Sequence, residues 1–368
     1  MIYNSNDFKL AEQILKFSVD LQKDENIMVH LIGLNGIDLA RALVTISREM
    51  GAKPFVQIND SEIERVLLEN GNLDFWKYLA ESDQLPLMKK MDAYVGIRAT
   101  QNIYENSNVS KEASKAHADG FLKPVHFEER VKNTKWCIMR YPSPAFAMNA
   151  KMSTQKFTDY YYQACLLDYQ KLKKAMEPLE KRLRNAKMVH LKGEGTDIEL
   201  SIEGQNWVPC FGTRNIPDGE IFSSPKLDSV NGQITYTSSV YQGKPFEFVK
   251  LIVENGVVVD YDSSNNDALE SILNTDEGAR RFGEFSFGTN PIIEKPMYDI
   301  LFDEKIYGSN HLTLGQDYDE APNGNKSSIH WDLVCIGADV YLDDELIRKG
   351  REYITEDLNV LNPNALLQ

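Results

Sequence analysis

The chain has 368 residues, 42% of them hydrophobic and 26% charged, which is the composition of an ordinary globular protein long enough for two domains. Its formal net charge of -15 argues against a nucleic-acid partner, because the one dense run of cations, KLKKAMEPLEKRLR, reads as the solvated face of a helix. No window reaches the length of a membrane span, and MIYNSNDFKLAEQILKF lacks the basic start and unbroken apolar core of a signal peptide, so a cytoplasmic protein is expected.

In the first half, NIMVHLI, KPFVQI, MDAYVGI and TKWCIMRY read as buried strands separated by amphipathic helical stretches such as GIDLARALVTISREMG. That alternation predicts an α/β layer on a mostly parallel sheet. No glycine-rich phosphate loop follows any of these strands, so nothing supports a nucleotide cofactor. Cys137, Cys165, Cys210 and Cys335 form no CxxC pair and fit reduced structural thiols.

From Phe157 to Ala186 the chain reads as one long charged helix. Beyond it MVHLKG, TDIELSIEG, GQITYTSSVYQG, FEFVKLIVENG and VVVDYD alternate apolar with polar residues and break at Gly or Asn, as antiparallel strands do. The predicted division is an α/β domain over 1–183, ending in that helix, and a β-rich α+β domain over 184–368.

In NIPDGEIFSSP a turn of Pro217, Asp218 and Gly219 hands Glu220 into an extended run. Read locally, such a glutamate faces water. RRFGEFSFG supplies Glu284 after another glycine, and LFDEKIYGSNHLTLGQDY supplies Glu304, His311 and Tyr318. Glu304, between Asp303 and Lys305, reads alone as a solvated charge, His311 as a loop histidine and Tyr318 as a half-buried aromatic. In SSIHWDLVCI a buried strand would point His330 and Asp332 to one face, where they could pair with each other or bind a metal. Together, three glutamates, an aspartate and two histidines are enough oxygen and nitrogen ligands for two divalent ions.

These segments, in this order and approximate spacing, resemble the metal-binding segments of the aminopeptidase T family of cocatalytic metallopeptidases, which includes the aminopeptidase S type. The likeness extends into the first half through GAKPFVQI and YPSPAFAMNA. The resemblance implies that Glu220, Glu284, Glu304, His311, His330 and Asp332 ligate two divalent ions (Zn, Co, Mn or Mg), with Glu284 as the bridge. It further implies an active-site role for Tyr318, hydrolysis of N-terminal residues from peptides, and a homodimer. A ring-cleaving iron dioxygenase branch of the same fold is the alternative, with His311, His330 and Asp332 as its triad. A binding protein that keeps the fold without the chemistry is a further one.

Overall fold

The computed structural model describes residues 5–241 and 243–368, which separate into two compact units. Unit one comprises residues 1–166 and 212–217, and unit two the remainder.

Unit one is built on a five-stranded sheet. Its first four strands are β1 (Asn26–Ile32), β2 (Lys53–Asn59), β3 (Ala93–Arg98) and β4 (Lys135–Arg140), and the order is β2-β1-β3-β4 with the short strand Asn215–Ile216 beyond β4. Every pairing is parallel, as the alternating strand and helix pattern requires. The central strands β1 and β3 are almost wholly buried, whereas β2 lies at the edge with Val56 and Ile58 exposed. On one face Met28, Tyr94, Met88, Met91 and Val125 form a packed cluster.

Unit two is β-rich. An eight-stranded sheet runs from Val257–Ser263 through Met188–Gly193 to Glu352–Tyr353. A second sheet is ordered His330–Trp331, Ser309–Gly315, Phe282–Gly288, Glu220–Ser223 and Val208–Cys210, with Val334–Ile336 also pairing to Ser309–Gly315. Both are antiparallel throughout, as the alternating sequence predicts.

The boundary differs from the expected 183/184. The single helix expected from Phe157 to Ala186 is two helices, Thr154–Cys165 and Tyr169–Asn185, because the side chain of Asp168 accepts from Lys171 N and caps a new start. The second helix then belongs to unit two, burying Leu172, Met176, Leu179 and Leu183 while its Lys and Arg residues stay outside. Residues 212–217 return to unit one because Asn215–Ile216 pairs with β4.

Candidate metal centre

The second sheet of unit two places the candidate ligands on one face. Register sets Glu284 opposite Thr313, and Ser286 opposite both His311 and Phe222, while Gly288 faces Glu220. Directly opposed residues share a face, so Glu220, Glu284 and His311 converge from three adjacent strands. Their neighbours Ile221, Phe285, Phe287 and Leu312 point the other way, are fully buried, and anchor the sheet in the core. Both long strands are buried from end to end, so the polar face does not lie open to water either.

Gly219 delivers Glu220. Its φ of +131° lies in the region that favours glycine, and a Cβ there would come within 3.0 Å of Asn290. Asn290 Nδ2 in turn donates to the Asp218 carbonyl at 2.7 Å, fixing the turn. Glu220 is therefore buried, not the solvated turn residue its local sequence suggests.

Glu284 joins two groups of ligand atoms. One contains Glu220, Glu284 and His311, the other Glu284, His330 and Asp332, and within each the atoms lie within 4.8 Å of one another. His311 Nε2 is 2.8 Å from Glu284 Oε1 and 3.5 Å from Glu220 Oε2. His330 Nε2 is 3.3 Å from Glu284 Oε2 and 3.2 Å from Asp332 Oδ1. The strand expected over SSIHWDLVCI breaks after Trp331, yet His330 and Asp332 still meet.

Three contacts have the character of supports around a metal. His330 Nδ1 lies 2.7 Å from the Gln316 carbonyl, which can only accept, so Nδ1 carries a hydrogen and Nε2, facing the two carboxylates, is the nitrogen a metal would take once its proton is released. That Nε2 is buried and makes no hydrogen bond of its own. Thr313 Oγ1 donates to Asp332 Oδ1 at 2.6 Å, and Ser286 Oγ to Glu220 Oε2 at 3.2 Å.

Lys305 was not singled out by the sequence and is central to the site. With 0% of its side chain exposed, it lies 2.6 Å from Glu220 Oε1 and 3.8 Å from Asp218 Oδ1, and it also bonds Glu304. Glu304 is thus a buried partner of Lys305 rather than a solvated charge, and it enters neither ligand group. Tyr318 is 44% exposed, with its ring centre 4.6 Å from that of His330 and 5.6 Å from that of Phe222.

The carboxylates hold protons on several of their neighbours. Burial, reinforced by Glu220 and Asp332 and opposed by Lys305, pushes Glu304 up to about 8. His311 pays a desolvation cost that Glu284 and Glu220 outweigh, reaching about 9. In the His330–Asp332 pair the proton rests on the imidazole. Glu284 and Asp332, each buried but faced by histidines, are held below the usual carboxylate range, so the protons gather on His311, His330 and Glu304 around a dense set of carboxylates.

The sequence profile of the thermophilic metalloprotease (M29) family matches residues 5–352. Aminopeptidase T of Thermus aquaticus is 25% identical over 95% of this chain and 98% of its own, and aminopeptidase AmpS of Bacillus subtilis is 24% identical over 89% and 88%. In fold, AmpT from Thermus thermophilus superposes with a TM-score of 0.80 over 96% of this chain and all of its own, at 20% identity. A 2,5-dihydroxypyridine dioxygenase from Pseudomonas putida reaches 0.64 over 96% of this chain and 99% of its own, at 14% identity, so fold alone does not choose between the two chemistries. The extent of the profile match does choose: the chain belongs to the thermophilic metalloprotease (M29) family.

Proposed function

We propose that this metal-dependent aminopeptidase acts on peptides through two divalent cations that share Glu284. The observation that carries the reading is charge. Asp218, Glu220, Glu284, Glu304 and Asp332 set five carboxylates against the ammonium of Lys305; with all five ionised, as bound cations would favour, and the histidines neutral, four negative charges remain, which is the charge of two divalent ions. A lone ferrous ion on His311, His330 and Asp332 would leave half of that uncompensated in a buried site.

Glu220, Glu284 and His311 would hold one ion and Glu284, His330 and Asp332 the other. Bound there, such a pair lowers the pKa of a shared water and polarises a carbonyl. Glu304, bonded to Lys305 and outside both groups of converging ligand atoms, remains for proton transfer. Tyr318, beside His330, is placed to donate its hydroxyl to a developing oxyanion. A cavity of about 130 Å³ that includes His330 and Asp332 in its lining, with Ser238, Ser239, Asp303 and Tyr298 beside Val240, Ile300 and Trp331, offers a seat of mixed polarity for the substrate's first residue.

The assembly we infer is a homodimer, supported by the apolar residues Val56, Ile58 and Ile63 exposed on the edge strand β2 and the helix that follows it. A reducing, cytoplasmic setting is supported by four free cysteines. No helix among the described residues is long and apolar enough to cross a membrane. The experiment is turnover of leucine p-nitroanilide before and after exhaustive chelation. Loss on chelation and recovery with Zn, Co, Mn or Mg is expected; full activity in metal-free protein would overturn the proposal.

A further inference from the structure

Unit one holds a second cluster of ionisable side chains, and it consists of donors. His30 lies near the carboxyl end of β1, Arg98 ends β3, and Tyr94 and Trp136 stand near the starts of β3 and β4. His126 and Arg130 come from the widened helix Ala118–Arg130. His30 and Arg130 are each only 6% exposed. Tyr94 is the hub. Its hydroxyl is 2.7 Å from His30 Nδ1 and accepts from Arg98 Nη2 at 3.3 Å, and the Arg130 guanidinium sits 5.1 Å from its ring centre. Trp136 is stacked between Arg130 at 4.7 Å and the exposed Arg214 at 4.9 Å.

Hydrogen-bond chemistry fixes what the cluster lacks. Arginine only donates, so Tyr94 accepts from Arg98 and gives its own proton to His30 Nδ1, and the neutral imidazole then carries its hydrogen on Nε2. His30 Nε2, Arg98 Nη1, Arg130 Nε and Nη1, and Trp136 Nε1 are therefore five buried donor atoms without an acceptor. Among the described residues no carboxylate pairs with Arg98, Arg130 or Arg214. Burial, opposed by Tyr94 and reinforced by Arg98 and Arg214, pulls Arg130 down to about 10. Leaving a guanidinium buried and unpaired is among the costlier arrangements a fold can hold.

Topology bears on one end of the cluster, that of His30 and Arg98. The sheet order reverses direction between β1 and β3, and open parallel sheets hold ligands in the crevice outside the carboxyl ends of the strands at such a point. His30 and Arg98 flank it.

We propose that this cluster binds a phosphate-type oxyanion, either inorganic phosphate or the phosphoryl group of a small metabolite. Five donors outnumber the four lone-pair positions of a carboxylate and suit a tetrahedral anion carrying three or four oxygens. The site lies within unit one and does not depend on the metal-centre reading.

The test is the thermal midpoint of the full chain in phosphate-free buffer, titrated with inorganic phosphate, glycerol 3-phosphate, acetate, or sodium chloride at matched ionic strength. Because phosphate also binds metal ions, each titration is run on protein as purified and after chelation. The expected result is a saturable rise of about 5 °C at a hundredfold excess over Kd, in both forms, with phosphate or the phosphomonoester and not with acetate or chloride. The stronger of the two phosphate probes identifies the source. Arg130→Met should abolish the rise while melting no lower than wild type without phosphate, since it removes an unpaired buried cation. Arg98→Met, at a half-buried position, should also abolish it and serves if Arg130→Met does not fold. No saturable rise, an equal rise with acetate, or an undiminished rise in Arg98→Met would overturn the proposal.

Discussion

Lys305 Nζ lies 2.6 Å from Glu220 Oε1 at a position closed to solvent, so one internal ammonium sets the charge of the whole metal centre. Lys305→Met would leave Asp218, Glu220 and Glu304 without it. Removing one partner from a buried ionic cluster costs about 3–5 kcal/mol, so the chelated variant should melt well below chelated wild type. Divalent ions can stand in for the missing charge, so the gap should narrow on metal addition. Melting curves with and without EDTA check this, and an identical gap in both would mean that Lys305 and the ions do not share a field.

Metal binding should be pH-dependent with a definite sign. His311 and His330 both carry protons in the metal-free chain near neutrality, and each must give one up before its nitrogen can bind an ion. Loading should release about two protons per chain, and apparent affinity should rise with pH over roughly pH 6 to 8. Calorimetry in buffers of differing ionisation enthalpy measures both. An affinity that is flat across that range would contradict the protonation described for the site.

Glu284 and Glu220 should differ when each is changed to Gln. Of the two histidine-containing groups Glu284 belongs to both and Glu220 to one, while Glu220 also lies with Cys210 and Asp218 in a third, so Glu284→Gln should lose both ions and Glu220→Gln one. Both should lose kcat/KM by more than about 100-fold, the upper end of what outer-sphere partners of a metal cost. Elemental analysis alongside turnover separates these outcomes, and wild-type metal content in both variants would return the carboxylates to a structural role.

Much of this site was legible in the sequence. A turn at Pro217, Asp218 and Gly219 feeding a strand, alternation along FGEFSFG, and the spacing of His330 and Asp332 each express a local rule, and the structure brings those residues together. Lys305 was not legible, because a lysine in DEK reads as solvated unless the fold is known to bury it against the distant Asp218 and Glu220. The compact units part near Leu166 rather than at 183/184 for a related reason: helical periodicity continues through Leu166 to Asp168, where only the Asp168 cap reveals the break. The cationic cluster of unit one escaped a search for basic runs because Arg98, Arg130 and Arg214 are gathered by the fold from distant segments.

Unit one should be acid-sensitive. Burial pulls His117 down to about 4 and His126 to about 3, and holds His30 well below its ordinary value with help from Arg98. These bases stay neutral when folded and take up protons near pH 6.5 when unfolded, so their contribution is complete above that pH and is lost progressively as the pH falls below it. Each contributes a slope of up to about 1.4 kcal/mol per pH unit in that window. Urea midpoints of wild type and His126→Phe in phosphate-free buffer test this: the variant should lose one proton's worth of slope, and equal slopes would contradict it.

The most direct measurement is anomalous scattering from crystals grown with zinc or cobalt. The account predicts two peaks per chain about 3.5 to 4 Å apart, one beside Glu220 and His311, the other beside His330 and Asp332, with the Glu284 carboxylate between them. A single peak on His311, His330 and Asp332, with Glu220 and Glu284 away from it, would contradict the two-ion centre and favour mononuclear chemistry on this fold.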